Sequence, residues 1–243
     1  MPDLILYGDR APEVEGYFTS SSGRTEFRLS VDESVEIREE IFWVHLLKGE
    51  NRRAAGRHLS EGSPYNGYMG RLWDRLRNYC HESSEIERAF FDMYCGLCWH
   101  SDGPVELTPA LIPNVTLNWY TEQTVRQNSG EPFYVDFVMK TPSIGGDSLA
   151  VIEIDGPSHY ARYSEGKYHL SEREYAKHLR RDKFLRDSGF AVFRIANIEV
   201  EKISHIEDPN ERLQAFYNFF EDTVGKAIWS EKLGLPDDFH PHR

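Results

Sequence analysis

The spacing of apolar residues divides the chain into helical and strand-like segments. Apolar positions at helical spacing predict helices in "SVEIREEIFWVHLLKG" (34–49) and in "GRLWDRLRNYC" (70–80). Ser84 with Glu87 three residues later forms a capping box, which predicts the start of a further helix. Residues 1–82 are therefore interpreted as a mainly helical N-terminal appendage.

Residues 83–200 have the pattern of a layered α/β core. Apolar runs predict a hairpin formed by "VTLNWYTEQTV" and "FYVDFVMK", followed by a buried strand in "LAVIEID". A second capping box, Ser171 with Glu174, predicts a helix that ends at Gly189, before the apolar strand "FAVFRIA". A strand, a helix and a strand in succession are typical of parallel strands joined by a crossover.

The chain is long enough, at 243 residues, to bury a sizeable core with an addition at each end. The segment 201–243 is predicted to hold a C-terminal helix, which starts at Asp208 and Pro209, and a tail. No window has the apolar length of a membrane span, and the first residues lack a basic region followed by an apolar stretch. A cytoplasmic location and no membrane partner are expected.

Acidic residues dominate the two ends of the chain. The formal net charge is −12, which by itself argues against a nucleic-acid partner. However, residues 1–50 contain 11 acidic and 5 basic side chains, and residues 199–243 contain 10 and 5. Between them, "GKYHLSEREYAKHLRRDKFLR" carries seven Lys or Arg side chains, which form either a solvated helix face or a contact surface for phosphates.

Three cysteines indicate a reducing compartment rather than a disulfide framework. Cys95 and Cys98 form a CxxC pair, and Cys80, His81 and His100 lie close enough in sequence to complete a zinc site. A structural zinc usually uses two paired-ligand modules, and this single pair lies in an apolar segment. Buried free thiols are the preferred interpretation, and no zinc is expected.

Acidic side chains come together where two predicted strands end. Alternation along a strand places Glu153 and Asp155 on one face, and Asp136 and Lys140 on one face of the preceding strand. If the strands are neighbours, Asp136 and Glu153 meet, and their repulsion requires a positive partner. A magnesium ion is the simplest partner, because it takes carboxylate ligands and activates water. Salt bridges to Arg or Lys, or the acid pair of a glycosidase, remain open alternatives.

Five segments between residues 84 and 200 carry a resemblance to a known family, in the order "SEIERAFFD", "YVDF", "VIEIDGPSH", "RDKFLRDSGFAVFRI" and "ANIEV". With these segments the chain resembles the PD-(D/E)XK nuclease superfamily, in its branch of small endonuclease-like proteins related to very-short-patch-repair endonucleases. The resemblance implies a three-layer α/β/α restriction-endonuclease-like core of order αβββαβ. It also implies a Mg²⁺-dependent endonuclease that hydrolyses phosphodiester bonds in DNA, with Mn²⁺ able to replace Mg²⁺.

The resemblance assigns roles to individual residues. The implied metal ligands are Asp136, Glu153 and the backbone carbonyl of Ile154. Further residues implied to act around this metal are Asp155, Glu87, His159 and Lys140. Contacts to the nucleic-acid backbone are expected from the basic helix that follows, at Lys177, Arg180, Arg181 and Lys183.

Asp155 is the departure from the family pattern, since most members carry a lysine at this position. Lys140, or Lys177 and Lys183 on the following helix, could supply the missing positive charge. The alternative is a catalytically impaired nuclease-fold module that acts as a DNA-binding or protein-interaction subunit. DNA is the expected partner in both cases, with a homodimer or a protein partner also considered.

Overall fold

A computed structural model describes most of the second half of the chain and separate segments of the first half. The described ranges are residues 4–7, 34–36, 41–47, 67–81, 84–101, 104–116, 134–140 and 149–225. Within them the chain forms a six-stranded mixed sheet, a separate two-stranded hairpin, and helices packed against the sheet.

The bounds of the elements follow in chain order. The strands are β1 (Leu4–Tyr7), β2 (Ser34–Glu36), β3 (Ile112–Thr116), β4 (Tyr134–Met139), β5 (Ala150–Asp155), β6 (Ala161–Ser164), β7 (Lys167–Leu170) and β8 (Ala191–Ala196). The helices are α1 (Gly67–Arg77), α2 (Glu85–Trp99), α3 (Glu172–Asp187), α4 (Asn197–Ser204) and α5 (Pro209–Phe220).

The main sheet has the strand order β2-β1-β3-β4-β5-β8. Strand β4 pairs antiparallel with β3 and β5, whereas β5 and β8 are parallel and are connected through α3. The predicted parallel pair is therefore confirmed, as is the antiparallel pairing of the hairpin. The first hairpin strand is Ile112–Thr116, and residues 117–125 of the predicted strand lie outside the described residues. Elements α2, β3, β4, β5, α3 and β8 reproduce the αβββαβ order, and the predicted α/β core with added helices is confirmed.

The first part of the chain adds strands to this sheet. Strand β1 pairs with β3, and β2 pairs with β1, where Val35 lies opposite Ile5. The predicted helix over 34–49 is wrong for residues 34–36, because they pair with β1 in the sheet. Residues 43–47 are helical. The division into domains stays a prediction, and the tail beyond residue 225 lies outside the described residues.

Aromatic packing holds helices α2 and α5 on one face of the sheet. Phe90 and Phe91 of α2 lie against Phe137 of β4, with ring centroids 5.5 and 6.5 Å away. Phe216 and Phe220 of α5 contact Phe90 in turn, at 5.3 and 6.2 Å. All five rings are buried. Since each buried Phe contributes about 1.5–3 kcal/mol, this cluster fixes β4 and the adjoining β5 at the centre of the fold.

Helix α3 starts and ends where its sequence signals predict. The Ser171 hydroxyl oxygen accepts a hydrogen bond from the Glu174 amide, and Gly189 beyond the last turn adopts a φ of 88°. The helix packs on β8, and Leu185 is its one fully buried side chain among the described residues. Most of the surface of α3 therefore faces solvent.

The hairpin of β6 and β7 is absent from the sequence prediction. Its turn is Glu165–Gly166, and both residues have positive φ, 51° and 78°. These angles are those of a type I′ turn, for which Asn-Gly and Asp-Gly are the usual signals. The turn was not predicted, because its first residue is Glu rather than Asn or Asp.

The three cysteines are buried free thiols, as predicted. Burial raises the pKa of Cys98 to about 11, so the thiol stays protonated at neutral pH. No helix in the described part of the chain is long and apolar enough to cross a membrane.

Gly189→Ala should destabilise the protein by about 1 kcal/mol, because an L side chain is strained at its positive φ. No atom lies within 4 Å of the added methyl group, so the cost comes from the backbone alone. Urea unfolding measures the effect. Ser188→Ala is the matched control, since Ser188 makes no side-chain cap; equal stability of the two variants would contradict the assignment.

Candidate functional site

Asp136 and Glu153 lie side by side on neighbouring strands. They occupy the position next to the Phe137–Ile152 pair of the β4–β5 ladder. The Ile154 amide donates a hydrogen bond to Asp136 Oδ2 over 2.7 Å. Burial raises the pKa of Asp136 well above its usual value, and the negative charges of Glu153 and Glu87 raise it further. The sequence prediction that the two acids meet is borne out by the register.

Glu153 is fully buried and is bound by an arginine from helix α3. Arg181 Nη2 lies 2.8 Å from Glu153 Oε1 and also donates to the backbone carbonyl of Tyr134. Glu153 Oε2 has no hydrogen-bond partner in the described part of the chain. Burial raises the pKa of Glu153, whereas the positive charges of Arg181 and Arg194 act to lower it. Arg181 therefore connects α3 to the beginning of β4 and to the end of β5.

Asp155 is bound by a second arginine, which the sequence analysis missed. Arg194 stands beside Glu153 in the parallel β5–β8 ladder. Its Nη1 lies 2.7 Å from Asp155 Oδ1, and its Nε lies 3.1 Å from Oδ1 of Asp182 on α3. The available signal was a single arginine within the apolar strand "FAVFRIA", at a position where alternation gives it the same face as the acids.

Two histidines face the same aspartate. His159 Nδ1 lies 3.3 Å from Asp155 Oδ1, and His178 Nε2 lies 3.5 Å from Asp155 Oδ2. Their rings meet edge to face, with centroids 5.4 Å apart. Burial lowers the pKa of both imidazoles, and Asp155 opposes the change. They line a cavity of about 240 Å³ together with Glu174, Lys177 and Arg181.

The magnesium ion expected between Asp136 and Glu153 stays a prediction, and the positive charge that the structure places at the acids comes from arginines. Arg181 binds one oxygen of Glu153, and Arg194 binds one oxygen of Asp155. The raised pKa of Asp136 reflects burial and the neighbouring negative charges of Glu153 and Glu87, which disfavour its charged form. Of the alternatives left open by the sequence, salt bridging by arginine describes the observed contacts. The Ile154 amide donates to Asp136, and the role of the Ile154 carbonyl as a metal ligand stays a prediction.

Glu87 and Lys140 lie at different distances from this cluster. Glu87 Oε2 accepts a hydrogen bond from the His81 amide, and its charge still reaches Asp136, so it is near the acids. Lys140 is buried, one residue past the Met139–Ala150 pair, at the end of the β4–β5 ladder remote from Asp155. The structure does not bring Lys140 to the acids.

The predicted nucleic-acid residues of α3 divide between its inner and outer faces. Lys177, Arg180 and Lys183 are exposed, whereas Arg181 turns inward to Glu153. Lys177 pairs with Glu174 at 3.0 Å, and Lys183 pairs with Asp187 within the helix. The outer face therefore keeps basic side chains at the surface.

A surface of exposed aromatic residues lies beside these cations. Tyr163 and Tyr168 form a cross-strand pair in the β6–β7 hairpin, with ring centroids 5.1 Å apart. They are 66% and 54% exposed, and Leu170 on the same hairpin face is 88% exposed. An isolated two-stranded hairpin is only marginally stable, and exposed apolar patches of this kind are typical of interaction sites.

Helix α3 and the hairpin form one continuous surface. Arg162 of β6 makes a salt bridge of 3.1 Å to Glu174 of α3, and the Tyr160 carbonyl accepts a hydrogen bond from the Ser171 amide. Tyr160 and Tyr175 are also exposed. Residues 161–187 contain eight Lys or Arg and five Asp or Glu side chains, so this surface is basic in an acidic protein.

Comparison with known proteins places a family domain on this same segment. Residues 152–214 match the RAP domain. The RAP domain is an RNA-binding domain with a nuclease-like fold. The match begins in β5 and includes the hairpin, α3, β8, α4 and the first part of α5. No curated protein and no solved structure shows a significant match to the chain.

The RAP match agrees with a nuclease-like fold and indicates nucleic-acid binding, whereas no match to the PD-(D/E)XK superfamily or to very-short-patch-repair endonucleases is found. All the inward-facing charged side chains of β5, α3 and β8 described above fall within the matched residues.

His178 was absent from the predicted site. The signal for it was its spacing from Glu174, Arg181 and Leu185, which is that of one helix face.

Arg181→Met should destabilise the protein by about 3 kcal/mol, because it leaves the buried Glu153 carboxylate without its counter-ion. Adding Glu153→Gln should restore most of the loss, since the pair is then neutral. Urea unfolding of the single and double variants measures both. Arg180→Met on the exposed face is the control, and an equal loss in that variant would contradict the role of Arg181.

Asp136→Asn should stabilise the protein at neutral and higher pH. Because the pKa of Asp136 is raised on folding, folding takes up a proton, and the free energy of unfolding falls as pH rises above the unfolded pKa. The variant does not lose stability in this way. The difference in free energy of unfolding between the variant and the wild type should therefore vanish near pH 4. Thermal unfolding between pH 4 and pH 8 measures how this stability difference changes with pH, and exposed Asp187→Asn is the control. A stabilisation by Asp136→Asn that grows as the pH falls would refute the prediction.

Proposed function

We propose that the chain binds single-stranded RNA on the surface formed by the β6–β7 hairpin and the outer face of α3, and does not cleave it. The observation that carries the proposal is the set of exposed tyrosines among basic side chains within the residues that match an RNA-binding domain. The nucleic-acid-binding alternative left by the sequence is thus preferred to the endonuclease.

Exposed tyrosines suit single strands because unpaired bases expose their faces to stacking. Single-strand-binding surfaces combine such aromatic side chains with cations that follow the phosphate backbone. In the hairpin, Tyr163 and Tyr168 share one face, and Arg162 and Lys167 lie on the other. Bases stack on the tyrosine face, while the cations of the other face and of α3 hold the backbone.

Helix α3 extends the basic part of this surface. Arg173, Lys177 and Arg180 are exposed along it, and the Arg162–Glu174 salt bridge fixes its position relative to the hairpin. Phosphate contacts of this kind give affinity without sequence preference and make binding sensitive to salt. Net acidity elsewhere limits binding to this surface.

The absence of cleavage is proposed because the buried acid of β5 is held by an arginine. A Mg²⁺-dependent nuclease needs ligating carboxylates that are free to take the ion, whereas Arg181 already binds the fully buried Glu153. Asp155 also stands where the related nucleases carry a lysine. The acids of this chain thus act as anchors for two arginines.

Replacing both Tyr163 and Tyr168 by Ala should weaken binding to a single-stranded RNA oligonucleotide by tenfold or more, since stacking contributes about 1–3 kcal/mol per base. Replacing both by Phe should preserve binding, because the ring and not the hydroxyl is used. Fluorescence anisotropy at two salt concentrations measures the affinities. Leu107→Ala, an exposed apolar residue outside the matched segment, is the control for general loss of apolar surface.

The same titrations with single-stranded DNA and double-stranded RNA of matched sequence separate the possible ligands. If DNA binds more tightly than RNA, DNA is the ligand instead of RNA. If no strand shows saturable binding, the proposal is overturned. Incubation of the protein and each nucleic acid with Mg²⁺ or Mn²⁺ tests the proposal that the chain does not cleave. Cutting that disappears in both Asp136→Ala and Glu153→Ala would restore the endonuclease and refute the non-cleaving function.

A further inference from the structure

A cluster of two histidines and one aspartate lies at the end of β5, apart from the tyrosine surface. Asp155 ends the strand, His159 lies in the turn that follows it, and His178 lies on the inner face of α3. One ligand atom from each residue lies within 4.8 Å of the other two. Three chain segments thus converge on one small volume.

The separations within the cluster fit a transition-metal site. Zinc–ligand bonds to His nitrogen and carboxylate oxygen are about 2.0–2.2 Å long, so ligands in tetrahedral arrangement lie about 3.3–3.6 Å apart. His159 Nδ1 lies 3.3 Å from Asp155 Oδ1, and His178 Nε2 lies 3.5 Å from Asp155 Oδ2. One ligand atom from each residue lies within 4.8 Å of the other two, so the side chains need to approach one another by about 1 Å to share one ion.

The surroundings resemble those of metal sites that keep an exchangeable position. Ligating carboxylates are usually held by a further hydrogen bond, and Arg194 supplies this to Asp155 while sharing its charge with Asp182. Both histidines line the cavity of about 240 Å³, which has room for water to complete the coordination.

We propose that Asp155, His159 and His178 bind one divalent transition-metal ion of the zinc class. Imidazole nitrogen selects zinc, cobalt or nickel over magnesium, so this site differs in chemistry from the magnesium site expected between Asp136 and Glu153. It also uses none of the cysteines at which the sequence analysis considered zinc. The ion joins the end of β5 to α3 and so fixes the helix beneath the hairpin.

The test uses the full chain without a histidine tag, dialysed against a chelator and then titrated with Zn²⁺ by calorimetry. One Zn²⁺ per chain is expected, with affinity lost by about tenfold or more in His159→Ala and in His178→Ala. His169→Ala is the control, because His169 is exposed on β7 outside the cluster and should leave zinc binding unchanged. Mg²⁺ should give no comparable binding.

Circular dichroism of the metal-free variants confirms that they are folded. His159→Gln and His178→Gln keep more of the side-chain volume if the alanine variants do not fold. The absence of zinc binding to the wild-type chain, or unchanged binding in folded variants of both histidines, would overturn the proposal.

Co²⁺ provides a readout that requires no variant. Tetrahedral coordination by nitrogen and oxygen gives visible absorption without a thiolate charge-transfer band, and this spectrum is expected. A thiolate band would place the metal on the cysteines and overturn the proposal. Zinc binding and RNA binding are measured separately, so the failure of one leaves the other standing.

Discussion

Two arginines at the end of β5 hold the acidic part of the fold together. Arg181 reaches from α3 to the fully buried Glu153, and Arg194 reaches from the adjacent parallel strand to Asp155. Like charges buried without compensation are strongly unfavourable, so the strand could not carry these acids into the core without them. The same contacts fix α3 to β5 and β8, and thus position every element that follows β5 in the RAP match.

The periodicity of α3 lets one helix serve the core and the surface. Glu174, His178, Arg181 and Leu185 recur at spacings of three and four residues and face inward. Between them Arg173, Lys177 and Arg180 face solvent. A charge-rich run that is too polar to bury a broad apolar stripe is held by ion pairs instead, which leaves its outer face free for a ligand.

Sequence reasoning predicted the core because its signals are local or periodic. The capping boxes at Ser84 and Ser171, the glycine at 189 and the alternation in β4 and β5 each depend on nearby residues, and they set the elements and their order. The meeting of Asp136 and Glu153 followed from alternation and one assumed pairing. What failed depended on distant contacts: Ser34–Glu36 became a strand because β1 lay beside it, a pairing no local pattern specifies.

The group that balances the charge of the clustered carboxylates could not be predicted from the sequence. Alternation brings carboxylates together, but it cannot say whether a metal, a proton or a guanidinium balances them, because the balancing group comes from a distant element. Arg181 lies 28 residues from Glu153, and Arg194 lies 39 residues from Asp155. A nuclease-like arrangement of acids thus has two stable solutions, one that holds an ion for chemistry and one that holds arginines for structure. This chain has arginines at Glu153 and Asp155, and the function proposed for it uses instead the hairpin and helix, where tyrosines and cations are exposed.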